Sequence, residues 1–371
     1  MVKLAIITAA NNAFVKAQPL TAVFVGATNG IGEFTVRELC KTHGNDGPGL
    51  NIIIVGRNEK AAQTIIDECK TICSAAKFHF IQAEDISLLQ NVDKTCIKLQ
   101  EILEGLKASG IDILIQSQGR VEFGGRIGKY SSTSSDSSLC IDDPKDTKEG
   151  LDRSMSLLYY SRMRFITNLL PNLLSSSLPT GAKIISVYAG GMEAQGSLFP
   201  DDLSLDQHYS FANCRTHSVA MKTMFFEDLA TKHPGKLSCS HIFPGLVVHD
   251  GFDDPGFPLW FKITWKVAKP LTRFLPMYLR AEEIGQRVLF LATDAYPARG
   301  SENKGDAVAT ATDGVEGGGA YSVGYTNEVN DVSKFYEKLR GERFKECVLQ
   351  HTEAVFGAIE RDGVFRSTKS N

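Results

Sequence analysis

Two rhythms of apolar residues alternate along the chain. Short runs of consecutive apolar, often β-branched residues are separated by longer stretches in which apolar positions return every three or four residues. The first rhythm predicts buried strands and the second predicts helices. A strand at Ala22–Val25 leads through a glycine turn into a helix at Gly32–Lys41. Strands then follow at Asn51–Val55, Lys77–Ala83, Ile111–Ile115, Lys183–Val187 and Leu237–Phe243. Helices alternate with them at Lys60–Cys73, Asn91–Ala108, Leu151–Leu174 and Phe211–Lys232. A parallel crossover needs a helix to carry the chain back, so this order implies a doubly wound α/β fold, a parallel sheet with helices on both faces.

Three segments break the rhythm. Residues 120–148 hold the polar stretches Ser131–Ser138 and Asp142–Lys148 and read as a mobile surface loop; the Gly-rich insertion 297–319 reads the same way. Residues 251–280 combine prolines with Phe257, Trp260, Phe261, Trp265 and Phe274. They follow what is expected to be the last crossover strand, at the ligand-binding end of the sheet, and read as a substrate lid. Lys262, Lys266, Lys269 and Arg273 fall at helical spacing there. A membrane-surface helix would share that spacing, but the solvated face of a lid is the expected reading, with no membrane partner. No internal repeat is present, and residues 1–371 are expected to form one domain.

The turn after the first strand carries the chemistry. Gly26, Ala27, Thr28, Asn29, Gly30, Ile31 and Gly32 sit between a strand and a helix start. Glycines at these points let the backbone turn sharply and approach a pyrophosphate, whose charge meets the free N–H groups of the helix. A Rossmann-like dinucleotide cradle is therefore expected. At the end of the second strand, Gly56 precedes Arg57 and Asn58. An acidic residue there would accept from a free ribose hydroxyl, whereas Arg57 suits a 2′-phosphate, so NADP(H) is the expected cofactor.

Composition narrows the class little. Of 371 residues, 43% are hydrophobic and 22% charged, and the net charge of −3 offers no electrostatic reason to bind nucleic acid. The eight cysteines, Cys40, Cys69, Cys73, Cys96, Cys140, Cys214, Cys239 and Cys347, show no Cys-x-x-Cys spacing and are expected to be reduced and mostly buried. Met1–Ala13 lacks the layout of a cleaved signal, and no stretch is apolar enough for a membrane span, so the cytoplasm is expected. No histidine or cysteine spacing suggests a metal site, and no Walker or Gly-x-Ser-x-Gly pattern occurs.

Over nearly its whole length the chain resembles the short-chain dehydrogenase/reductase family, whose glycine turn reads Gly-x-x-x-Gly-x-Gly. The resemblance implies that Asp85 and Ile86 meet adenine and that Gln116, Gln118 and Gly119 stand where the family ends its fourth strand. It also places Pro244, Gly245 and Val247 beside the nicotinamide, with His249 in place of the usual threonine. The segments Glu149–Asp152, Tyr159–Arg162, Glu282–Gly285 and Leu289–Thr293 are similar to fungal reductases of secondary metabolism.

The family's catalytic pattern is degenerate here. Its serine pair falls on Tyr188 and Ala189, with Ser186 a stand-in that an extended strand would place about 10 Å away. Its asparagine falls on Leu158. Its Tyr-x-x-x-Lys falls either on Tyr209 and Asn213 or, counting from the far end of the helix, on Phe211 and Arg215. Tyr209 is taken as the proton donor with Asn213 beside it; Arg215 or His217 is a source of positive charge, and Tyr188 and His249 line the substrate. The expected function is an NADPH-dependent oxidoreductase acting on a ketone or enone of an apolar natural product. A non-redox cyclase, isomerase or pericyclase on the same scaffold, or a catalytically silent NADPH sensor, remain the alternatives. The resemblance further implies a homodimer through Leu151–Leu174 and Phe211–Lys232.

Overall fold

The computed structural model describes residues 1–119, 146–248, 259–302 and 307–367. Its sheet has seven parallel strands: β1 (Leu20–Val25), β2 (Leu50–Gly56), β3 (Lys77–Gln82), β4 (Ile113–Gln116), β5 (Ala182–Val187), β6 (Leu237–Ile242) and β7 (Ala320–Val323). Their spatial order is β3-β2-β1-β4-β5-β6-β7. The doubly wound fold expected from the alternating runs is thus the fold observed. Strands β1, β4, β5, β6 and β7 are buried along their whole length, which is why β1 and β4 read as nearly unbroken apolar runs; β6, Leu-Ser-Cys-Ser-His-Ile, is buried despite its polar residues.

Two apolar layers flank the sheet. One side is covered by α1 (Leu4–Ala17), α2 (Gly30–His43), α3 (Glu59–Ile72) and α9 (Ala281–Phe290). The other carries α4 (Leu89–Leu106), α6 (Ser161–Leu174), α7 (Phe211–Lys232) and α11 (Phe344–Asp362). The long helix expected at Leu151–Leu174 is composite: a short α5 (Arg153–Met155), a π-helical stretch at Ser156–Tyr160, and α6. Asn58 and Asp152 cap α3 and α5, accepting from the backbone N–H groups of Ala61 and Met155.

Several expectations need correction. The N-terminal residues form a helix, with Ile7, Phe14 and Val15 turned into the core and Asn11 bonded to Gln286 of α9. β6 is not the last strand: β7 follows the Gly-rich insertion, and its four residues are too few to show a period. That insertion is no free loop in its described part. Ala311 and Thr312 are buried, and the Thr312 hydroxyl donates to Glu227 of α7. α10 (Ser333–Gly341) and α11 were not anticipated either. α11 packs along α7 and α4, and an ion pair joins Glu360 to Arg164. α11 therefore covers part of α7 and meets α6 through that ion pair.

Cys40, Cys69, Cys73, Cys96, Cys214 and Cys239 are free and buried, while Cys347 is exposed. Cys140, His249, residues 251–258 of the expected lid and most of the 120–148 loop lie outside the described residues. Among the described residues no helix is long and apolar enough to cross a membrane, and no cluster of His, Cys, Asp or Glu could hold a metal ion.

Candidate functional site

The glycine turn has the geometry of a phosphate cradle. Gly26 and Gly30 have φ of 82° and 65°, and a Cβ on Gly26 would come within 2.5 Å of the Gln118 backbone nitrogen. A Cβ on Gly32 would lie 2.4 Å from Ser117 Oγ, so α2 begins tight against the end of β4. Asn29 precedes α2 in an extended conformation and makes no side-chain cap bond, which leaves the amides of the first turn free to meet an anion. Beside the turn lies a cleft of about 790 Å³ lined by Thr28, Asn29, Arg57, Asn58 and Gln82. The structure thus gathers the turn and the Arg57 corner into one open groove, whose lining also includes the carboxylates of Glu33 and Glu59.

The other residues expected at the cofactor divide. Gln118 is buried with both side-chain polar atoms unpartnered, an orphaned amide at the strand end where a polar ligand would satisfy it. Gly119 follows it and is exposed. Gln116 is a correction: its amide donates to the Arg162 carbonyl inside the core, so it braces α6 rather than facing a ligand. Asp85 is exposed and accepts from the Ser87 N–H and hydroxyl, with Ile86 buried beside it. The Pro244–Gly245 turn, φ 71° at Gly245, is clamped by backbone bonds between Leu246 and residues 277 and 279, with Val247 buried.

The catalytic expectation changes more. α7 begins at Phe211 with Ser210 as its cap, so Tyr209 lies ahead of the helix and forms no i, i+4 pair with Asn213. Asn213 is otherwise engaged: its Oδ1 accepts from the Ser197 N–H and its Nδ2 donates to the His208 carbonyl. Phe211 and Arg215 form the first i, i+4 pair, with the guanidinium carbon 4.8 Å from the ring centroid. The Phe211 and Arg215 pair thus lies within α7, whereas Tyr209 and Asn213 straddle its start. Ser186 is no stand-in either, because it is fully buried and accepts from Arg162 at 2.6 Å.

Tyr188 occupies the centre of what remains. The chain turns sharply after β5, with the Tyr188 N–H on the Ser186 carbonyl and Ala189 in the left-handed region at φ 47°. Such a conformation costs a non-glycine residue about 1 kcal/mol and is held only where packing enforces it. Here Gly190 packs so closely on the His241 and Val323 carbonyls that a Cβ would lie 2.6 Å and 2.9 Å from them. The Tyr188 hydroxyl is buried and makes no hydrogen bond of ordinary geometry. Lys222 Nζ lies 5.4 Å from its ring centroid and the Arg162 guanidinium 6.0 Å, within reach of cation–π attraction. Burial pushes the phenol pKa up to about 12, against a pull downward from Arg215 beside it.

Sequence reading missed Arg162. Its guanidinium donates to the carbonyls of Gln116, Gln118, Val187 and Leu157 as well as to Ser186 Oγ. It therefore knots the ends of β4 and β5 together from below. Burial lowers its pKa to about 9, which still leaves it charged at neutral pH. Lys222 is different: its ammonium nitrogen is fully buried and makes no hydrogen bond, and burial together with the Arg162 charge drives its pKa well down. One signal existed in the sequence. Gln116, Ser186, His241 and Ser322 are polar residues near the ends of buried strands, and strand pairing puts them in one row.

His217 cannot supply the positive charge expected of it. Its Nε2 accepts from the Phe199 N–H, which requires the neutral ring, and burial lowers its pKa to about 4. The unfolded chain takes up a proton near pH 6.5 that the folded protein refuses until about pH 4. Stability should fall by about 3 kcal/mol as pH drops through that window. Melting temperatures of the wild type and His217→Gln measured from pH 7 to 4 should converge as pH falls; parallel curves would refute the assignment.

No family model matches the chain. It is 34% identical over 369 residues to the "Short-chain dehydrogenase/reductase SAT2" of Stachybotrys chartarum, covering 95% of this chain and 96% of that one. It is 35% identical over 358 residues to the "Oxidoreductase AN1596" of Emericella nidulans, covering 93% and 96%. Among solved structures, the "Pseudomonas aeruginosa RhlG/NADP active-site complex" superposes with a TM-score of 0.52 at 18% identity, covering 82% of this chain and 98% of that one. The structure described as "YwfH, NADPH dependent reductase involved in Bacilysin biosynthesis" superposes with a TM-score of 0.51 at 16% identity, covering 82% and 100%. Both superpositions report the same fold.

Proposed function

Since the chain belongs to the short-chain dehydrogenase/reductase family, we propose that it is an NADPH-dependent reductase of a ketone or enone in an apolar product of fungal secondary metabolism. One observation carries the chemical part: a buried phenolic hydroxyl, that of Tyr188, which makes no hydrogen bond of ordinary geometry and stands beside Arg215, with Arg162 and Lys222 over its ring. The reduced nicotinamide, when bound, supplies a hydride to the carbonyl carbon. The chain must then provide a proton and a positive field for the oxygen. With its pKa near 12, Tyr188 holds its proton throughout the neutral range and can release it to an alkoxide. Arg162 and Arg215 stabilise the phenolate that remains, as fixed charges in a site already dry. This reading moves the donor from Tyr209 to Tyr188. The fungal relatives and the segments shared with such reductases support the metabolic setting.

The cofactor half of the reading rests on the cradle and on Arg57, which is exposed at the rim of the cleft. Arg57→Ala should raise KM for NADPH by roughly 10–100-fold, the value of a charge-assisted phosphate contact, and leave KM for NADH within about threefold. Equal losses with both cofactors would mean that Arg57 stacks on adenine instead. The reaction class is tested by incubating the purified protein with deuterated NADPH and candidate ketones. A product heavier by one deuterium and one proton is expected. A product rearranged at constant mass, with no cofactor consumed, would overturn reduction in favour of a non-redox isomerase.

A further inference from the structure

Helix α8 (Leu259–Ala268) is amphipathic in the reverse sense. Leu259, Ile263 and Val267 recur at i, i+4 and i+8 and are 71%, 57% and 68% exposed, and no residue of the helix is buried. A stripe with that spacing normally faces the core. Here it faces outward, and it continues through Leu271 and Phe274, 59% and 72% exposed, in the 3-10 turn Lys269–Phe274. The opposite side of α8 is taken up by Phe261 and Trp265, whose rings stack 6.0 Å apart. Phe261 and Trp265 are half-buried, so theirs is the more covered side of the helix and the aliphatic stripe is the more exposed one.

Charge selects the occupant. Leu259–Arg280 contains Lys262, Lys266, Lys269, Arg273 and Arg280 and no acidic residue. The chain as a whole carries −3, so everything outside this segment, including the upstream Asp250, Asp253 and Asp254, sums to −8. A second copy docking through the same face would set five positive charges against five. A surface that is apolar within and negative at its rim suits both the stripe and the lysines, which can lay their stems along it and keep their charges at the boundary. Trp260, 60% exposed beside the stripe, is of the residue type that favours a membrane–water interface. We infer that α8 and the turn after it dock the protein, parallel to the plane, on an anionic lipid bilayer, with the acidic remainder held away from the headgroups. This reverses the expectation of no membrane partner, because what the basic spacing left open, the outward direction of the apolar stripe decides.

The test uses the full chain and vesicles of phosphatidylcholine with or without phosphatidylserine. The protein should float with the phosphatidylserine vesicles, and binding should weaken as salt is raised. Because Trp260 is exposed beside the docking stripe, its emission should shift to the blue in the same titration. Lys266→Glu should lower the partition coefficient by about fivefold or more, and Ile263→Asp with Val267→Asp should abolish flotation. These side chains are exposed, so the variants should keep the wild-type far-ultraviolet spectrum and melting temperature. Wild-type protein that stays in the vesicle-free fraction under both compositions would overturn the inference. So would a wild-type dimer, dissolved by the double variant, that binds no vesicles, since the stripe would then belong to a second copy.

Discussion

Tyr188→Phe should cut turnover by roughly 10²–10⁴-fold, the usual contribution of a positioned proton donor, while NADPH binding stays within about threefold of wild type. The same change should not harm the fold. The hydroxyl makes no hydrogen bond of ordinary geometry, so its removal should change stability by no more than about 1 kcal/mol. Activity lost while melting temperature holds is a pattern that a merely structural tyrosine would not give. Because burial holds the phenol near pKa 12, the wild-type rate should also show no alkaline limb from this group between pH 6 and 9. Tyr209→Phe provides the control. If it abolishes turnover and Tyr188→Phe does not, the donor is the residue ahead of α7 after all. Arg215→Met should lower kcat with a smaller effect on KM, since the guanidinium acts on the charge that develops at Tyr188 during transfer.

Arg162→Met should destabilise the protein by about 3–5 kcal/mol, the largest effect expected of any single substitution away from the glycine turn. The methionine fills much of the same volume, but it leaves the Gln116, Gln118, Val187 and Leu157 carbonyls without the donor that now serves all four. Arg162→Lys should recover only part of the loss, because one ammonium cannot span acceptors on two strand ends and the π-helical stretch. Ser186→Ala should cost about 1 kcal/mol, since it removes one acceptor and leaves the backbone bonds of the knot in place. Denaturant midpoints of the three variants measure the series. Equal midpoints for Arg162→Met and wild type would show that the knot contributes nothing. If Arg162→Met does not fold, the ranking of the lysine and alanine variants still tests the claim.

The segments that most resembled fungal reductases turn out to hold the architecture together. Glu149 accepts from the backbone N–H groups of Leu89 and Gln90 at the start of α4. The Tyr159 and Tyr160 hydroxyls meet Thr352 and His351, seating α11 on the π-helical stretch. Arg162 ties the two strand ends, and Gln286, just past Glu282–Gly285, bonds α1 and α2 through Asn11, Glu38 and Thr42. These motifs mark how this branch of the fold is braced more than what it binds. They were visible in the sequence because braces need particular side chains, yet their roles were not, because each partner is contributed by a distant part of the chain.

The sequence by itself determined the parallel sheet and the cradle at its edge. Buried parallel strands such as β1 and β4 write themselves as nearly unbroken apolar runs, and a phosphate turn needs glycines at positions that only glycine tolerates, so both are local requirements. Arg57 was legible for the same reason, since it follows the second strand directly. The tertiary structure alone decided the rest. Where α7 begins depended on Ser210, whose hydroxyl accepts from the Asn213 N–H, a bond that spacing cannot reveal. Tyr188 became the candidate donor only once Arg162 from α6 and Arg215 and Lys222 from α7 were seen around it. The direction of the α8 stripe depended on which side of the helix the fold had already covered. Catalytic fields and docking faces arise from groups far apart in sequence brought within a few ångströms, and nothing in the order of residues encodes that distance until the chain has packed.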